Sequence, residues 1–316
     1  MSLHPFIADL FAKMAQAGRP AISAGSPDDA RALTRSSRAA LGRGPELPQV
    51  EEFLVPTRSG TINGRLYLPQ AQPIGAIVYT HGGGWVVGEL DDFDAMARTL
   101  AARSHCAVFM PDYRLAPEHP FPAGLEDVED AIGWAATQST RWCGGAVPLV
   151  VAGDSAGGNL TAVAVQALAD KVQLAGQVLI YPVTDADFDR DSYLNFSRGM
   201  QLTREDMQWF FSHYAPTERH LDPRISPMRQ APRPDTPTTV VVTAECDVLR
   251  DEGEVYARQL EQAGIPTALR RIAGLPHGFI RMHNLVDTAD AALSDIARDV
   301  QDMCRAATST NRGQHG

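Results

Sequence analysis

The stretch Val147 to Leu168, VPLVVAGDSAGGNLTAVAVQAL, decides how this sequence is read. Aliphatic, mostly β-branched residues run straight into Gly153-Asp154-Ser155-Ala156-Gly157, and a run of small and aliphatic residues follows. The pattern predicts a buried strand over Pro148 to Ala152 and a helix over Asn159 to Lys171. A serine between two glycines at that junction fits a sharp strand-to-helix turn. Such a turn holds the serine in strained backbone geometry, where larger neighbours would clash. The helix then points its N-terminus at the serine and favours negative charge developing there. GxSxG is short enough to occur by chance, so its meaning depends on its surroundings.

Outward from this stretch, strand and helix patterns alternate. Strands are predicted at Gly75 to Thr80, Ala107 to Pro111, Ala175 to Tyr181, Thr239 to Thr243 and Thr267 to Ile272. Helices are predicted at Phe93 to Ser104, Gly124 to Thr137, Glu252 to Ala263 and Val286 to Ala306. Glu51 to Thr57 and Thr61 to Leu68 read as a hairpin joined at Ser59-Gly60. This order implies an α/β fold with a mostly parallel central sheet flanked by helices on both faces. Before it, Phe6, Leu10 and Met14 sit four apart, and Ser26-Pro27-Asp28-Asp29 reads as a helix start. Between Tyr181 and Pro237 the alternation breaks into acidic residues, prolines and a helix around Arg204 to Tyr214. The expected division is therefore 1–49 as N-terminal cap helices, 50–184 as the first part of the core, 185–236 as a cap insertion and 237–316 as the second part of the core.

In open parallel sheets, ligands bind at the carboxyl ends of the strands. Ser155 lies at such an end. A nucleophilic serine needs a base, and the base needs an orienting carboxylate. Asp247 follows the strand TVVVT, and His277 follows the next strand in Gly274-Leu275-Pro276-His277-Gly278-Phe279. Both sit on the sheet edge of Ser155, in the chain order Ser, Asp, His. Asp251 and Glu252 suit the first turn of a helix better than Asp247 does. His119, His213, His220 and His283 lack a comparable strand-end placement and are expected to be structural or solvated.

An oxyanion hole is the remaining requirement. His81-Gly82-Gly83-Gly84-Trp85 follows the strand GAIVYT, and successive glycines let backbone amides approach a substrate oxygen closely. A phosphate-cradling loop would need GxGxxG or a GK[ST] ending, and neither is here. Gly83, Gly84 and Ala156 are the expected donors, with His81 holding the loop in shape. Trp85, Tyr181 and Phe210 are candidates for the substrate pocket walls, with ordinary core or lid packing as the alternative for each.

Composition bounds the reading. The 316 residues are 44% hydrophobic and 21% charged, with a net charge of -10, the balance of an ordinary globular protein. The negative charge argues against a nucleic-acid partner or an anionic membrane surface. No segment approaches the ~20 apolar residues of a membrane span. The N-terminal stretch lacks a basic region, and Asp9 and Lys13 interrupt its apolar run. A cytoplasmic location is therefore expected. Cys106, Cys143, Cys246 and Cys304 show no close pairing and read as free thiols; spacing alone leaves a bridge between distant positions open.

These motifs together resemble the hormone-sensitive-lipase-like family of α/β-hydrolase esterases, also called bacterial family IV. The matching stretches are HGGGW from His81, DYRLAPEHPFPA from Asp112, GDSAGG from Gly153, DVLRDE from Asp247 and HGF from His277. The resemblance spans roughly Val50 to Ala306, and the N-terminal helices fit the family's cap. It implies a carboxylesterase for short- to medium-chain esters, with no metal and no organic cofactor, and allows a homodimer. It implies scaffold roles for Arg114, Glu118 and His119. The family often carries Pro after the catalytic Asp, where this chain has Val248, and Cys246 belongs to no motif and reads as a packing residue. An acyltransferase or an amidase would use the same triad. A non-catalytic binding protein of this fold would have lost a triad residue, and all three are here.

Overall fold

The computed structural model describes residues 3–313. Its N-terminal segment carries α1 (Pro5–Gln16), α2 (Pro27–Ser36) and α3 (Arg38–Leu41). Ser26 starts α2 by accepting from the Asp29 amide while the Asp29 carboxylate accepts from the Ser26 amide, a reciprocal cap with Pro27 preset behind it. A hairpin follows, β1 (Gln49–Thr57) and β2 (Gly60–Leu68). The alternating part then runs β3 (Ala76–Thr80), α4 (Leu90–Ser104), β4 (Ala107–Pro111), α5 (Ala123–Cys143), β5 (Leu149–Asp154), α6 (Ala156–Leu168) and β6 (Gly176–Ile180). The inserted segment contributes α7 (Asp191–Asn195) and α8 (Arg204–Tyr214). The chain closes with β7 (Thr239–Cys246), α9 (Arg250–Gln262), β8 (Thr267–Pro276) and α10 (Asp287–Gly313).

Among the described residues eight strands form one sheet in the order β1-β2-β4-β3-β5-β6-β7-β8. The β1–β2 and β2–β4 pairs are antiparallel, and the others are parallel. The period of two sends successive side chains to opposite faces. Val78 and Val151 enter one core, which α5 and α6 cover, whereas Ile77, Tyr79 and Val150 enter the other, under α4 and α10. Burial on both faces explains why the central strands read as unbroken apolar runs.

Several boundaries differ from the sequence expectation. The helix after Ser155 begins at Ala156 instead of Asn159 and ends at Leu168, because Gly157 and Gly158 lie inside its first turn. The expected helix ending at Thr137 continues to Cys143. There Trp142 is buried against Phe109 and Trp134, so packing overrides the weak helix preference of Ser139 and Thr140. Both β7 and β8 run on to the turns bearing Asp247 and His277.

The N-terminal helices and the insertion meet over the carboxyl ends of the strands. Asp206 caps α8 through Thr203, and its other oxygen accepts from the Ser23 amide at 2.9 Å. Arg31 on α2 donates to the carbonyls of Val86 and Ala116 at 2.9 and 3.0 Å and to both oxygens of Glu118. Trp85 stacks on Tyr214 of α8 at 4.3 Å with planes 3° apart. Positions 1–2 and 314–316 of the expected segments lie outside the described residues. No helix among the described residues is long and apolar enough to cross a membrane.

Candidate active site

The strand β5 ends at Asp154 and α6 begins at Ala156, so Ser155 alone makes the turn. Its backbone sits at φ 55°, ψ −121°, a conformation non-glycine residues adopt only under constraint. The constraint is local. Ser155 donates its amide to Ile180 at 2.8 Å, and its carbonyl accepts from Asn159 and Val183. At Gly157 a Cβ would run into the carbonyls of Thr80 and His81. The first turn of α6 therefore approaches the end of β3 closely, and only glycine permits that approach.

The sequence places Asp247 and His277 far from Ser155, and the fold brings all three together. The Ser155 Oγ lies 2.9 Å from His277 Nε2, and His277 Nδ1 lies 2.8 Å from Asp247 Oδ2. The other Asp247 oxygen accepts from the Leu249 amide at 3.0 Å, which fixes the carboxylate. With Nδ1–H donated to Asp247, the Nε2 lone pair faces the serine hydroxyl. Ser155 is 6% exposed and Asp247 1%, so the chain of hydrogen bonds is shielded from water and electrostatically strong.

The glycine loop adjoins this constellation. Gly83 and Gly84 adopt φ of 121° and 59°, and among the described residues no hydrogen bond uses either amide as donor. A Cβ on Gly84 would strike the Phe210 ring. Ala156, at the first position of α6, is fully buried. His81 is sandwiched between Phe93 and Tyr113, with ring centroids 5.1 and 4.5 Å away, and its Nδ1 lies 2.7 Å from the Gly82 carbonyl. Burial pushes its pKa down to about 4, so at neutral pH it is an uncharged ring that shapes the loop.

The three candidate wall residues fall in different surroundings. Phe210 of α8 covers Gly84. Trp85 is 1% exposed and packed between Tyr214 and Phe211. Tyr181 is fully buried with φ 35°, and its ring lies 4.6 Å from the His277 ring. Two of the histidines set aside do structural work. His283 is buried and contacts Thr99 Oγ1 and the Ile280 carbonyl, and His220 contacts the Ala215 carbonyl. Arg114 pairs in bidentate fashion with buried Asp127, and Glu118 receives Arg31.

Three sets of contacts went beyond the sequence reading. Asp154 is buried and accepts from Tyr79 and from the Gly82 amide. Asp251 and Glu252 lie in the first turn of α9, as expected, and also reach across to the insertion. Asp251 accepts from the Ser192 amide, and Glu252 accepts from the amides of Thr184 and Asp185. Cys106 and Cys304 are both buried with sulfurs 4.0 Å apart, and all four cysteines are free. Only residue identity hints at the first two, since carboxyls are buried only where donors await them. Among the described residues no three His, Cys, Asp or Glu side chains are grouped so as to hold a metal ion. A cavity of about 1200 Å³ opens at the other end of the strands, lined by Val147, Leu149, Leu174 and Met303, away from the serine.

Comparison with known proteins identifies the family. The α/β-hydrolase fold family matches residues 77–281. The ethyl acetate hydrolase of Pseudomonas putida is 37% identical, over 95% of this chain and 99% of that one. The carboxylesterase NlhH of Mycobacterium tuberculosis is 36% identical, over 72% of this chain and 74% of its own length. A hyperthermophilic esterase from the archaeon Pyrobaculum calidifontis superposes with a TM-score of 0.90 at 34% identity, over 96% of this chain and 99% of that structure. The chain belongs to the α/β-hydrolase family, as one of its hormone-sensitive-lipase-like esterases.

Proposed function

We propose that the protein is a serine carboxylesterase that cleaves short- to medium-chain esters through an acyl-enzyme. The observation that carries this reading is the continuous hydrogen-bond chain from Asp247 through His277 to Ser155, beside a loop whose Gly83 and Gly84 amides have no acceptor among the described residues. His277 takes the hydroxyl proton as Ser155 Oγ attacks the ester carbonyl, and Asp247 stabilises the imidazolium. Amides of Gly83, Gly84 and Ala156 receive the oxyanion, each worth about 3 kcal/mol in the transition state. His277 returns the proton to the leaving alcohol, and water then hydrolyses the acyl-enzyme by the same route. Phe210, over Gly84, is a wall of the substrate pocket in this reading. The short end of this range is supported by the substrate in the name of the Pseudomonas relative. Hydrolysis of p-nitrophenyl esters from acetate to palmitate, with Ser155→Ala alongside, tests it. Turnover is expected to peak at short or medium chains and vanish in the variant. Undiminished turnover in Ser155→Ala would overturn the mechanism.

A further inference from the structure

We propose that Asp154 is a positioning residue, which aims the glycine loop and places a negative charge behind the histidine. The inference rests on the reading of Ser155 as nucleophile. Asp154 is 3% exposed. Its Oδ1 accepts from the Gly82 amide at 2.9 Å and from the Tyr79 hydroxyl at 3.0 Å, and its Oδ2 faces the Tyr181 hydroxyl at 3.5 Å. One carboxylate thus joins β3, the glycine loop and the turn after β6. Gly82 immediately precedes Gly83, so a bond at Gly82 sets the direction of the next two amides. The fit leaves no slack, because a Cβ on Gly82 would meet the Asp154 carboxylate.

A neutral side chain would serve less well. The Gly82 amide can only donate, so Asp154 Oδ1 must accept, and bonds to an ionised acceptor are about twice as strong as neutral ones. The titratable groups facing Asp154 are Tyr79 on β3, Tyr113 after β4, Tyr181 after β6, and His277 and Arg281 after β8. Burial works against the charge and raises the carboxyl above its usual range; the donors, His277 and Arg281 oppose that rise. Of these groups, His277 gains a positive charge in the reaction. A fixed carboxylate nearby favours that imidazolium, as does the Tyr181 ring tilted against it with centroids 4.6 Å apart. Asp154 thereby acts on both halves of the transition state without touching the substrate.

Asp154→Asn separates this role from simple packing. The amide oxygen still accepts from Gly82, while the charge is gone. The expected result is a kcat on p-nitrophenyl butyrate lower by about tenfold to a hundredfold, with KM changed by less than about twofold. The acid limb of the kcat/KM profile is expected to move to lower pH. Asp154→Ala, which removes the acceptor, is expected to speed hydrogen exchange at the Gly82 amide relative to the wild type. Should either variant fail to fold, Tyr79→Phe removes one donor to the carboxylate and is expected to lower kcat several-fold at unchanged KM. A folded Asn variant with wild-type kcat and an unmoved acid limb overturns the proposal, as does wild-type kcat in Tyr79→Phe. A wild type that turns over no ester refutes the hydrolase reading instead. In that case the Gly82 exchange rates still decide whether Asp154 anchors the loop.

Discussion

Glu252 makes the stability of this protein depend on pH in an uncommon direction. Its side chain is fully buried, with Oε1 accepting from Thr184 and Asp185 and Oε2 without a partner among the described residues. Burial is the largest influence and raises its pKa from 4.5 to about 8, against the two amide bonds. The folded protein therefore keeps a proton up to about pH 8 that the unfolded chain releases near pH 4.5. Between those values the folded state binds one more proton, so stability falls as pH rises. The slope is about 1.4 kcal/mol per pH unit. The contribution is complete below the unfolded value and lost as pH passes the folded one. From about pH 5.5 to about pH 7 the loss amounts to about 2 kcal/mol. Glu252→Gln keeps the accepting oxygen and cannot ionise. Urea denaturation of both proteins at the two pH values isolates the group, because every other titration is shared. The wild type is expected to lose about 2 kcal/mol relative to the variant on going to the higher pH, at unchanged m-value. Parallel pH dependence of the two proteins would refute the reasoning and mean that Glu252 is ionised throughout.

Two further outcomes follow from the site. Asp247→Asn is expected to lower kcat about 10⁴-fold with little change in KM, because the amide can orient the imidazole in the wrong tautomer; a loss under about tenfold would remove Asp247 from the triad. Phe210→Ala takes a buried ring off Gly84 and is expected to cost about 3–5 kcal/mol in urea denaturation while shifting the preferred acyl chain to longer esters. An unchanged chain-length profile would show that Phe210 packs the lid without bounding the pocket.

The parts of the site that were legible in the sequence share one property. Ser155, Asp247 and His277 each follow an apolar strand, and strand ends in a parallel sheet converge on one edge. The glycines around Ser155 and in the 82–84 run were equally plain, because close backbone approach leaves a residue-type signature. Asp154 and Glu252 were not legible in this way. Their partners are backbone amides and rings that only the tertiary fold brings near, such as Gly82 for Asp154 and Thr184 for Glu252. An acid in the first turn of a helix looks the same whether it caps that helix or a neighbouring segment. The extension of α5 to Cys143 was hidden for a related reason, since Trp142 is held by aromatic partners on β1 and β4.

The separation of the reacting groups along the chain has its own consequence. His277 and Ser155 lie 122 residues apart, and His277 and Asp247 lie 30 apart. Their meeting requires β5, β7 and β8 to dock in register, and long-range pairings of this kind form late and slowly. No fragment ending before residue 277 contains His277, the base of the proposed mechanism. Ester turnover is therefore a reporter of completed folding. Its appearance during refolding should trail the recovery of helical signal, and its return marks the seating of the last strand.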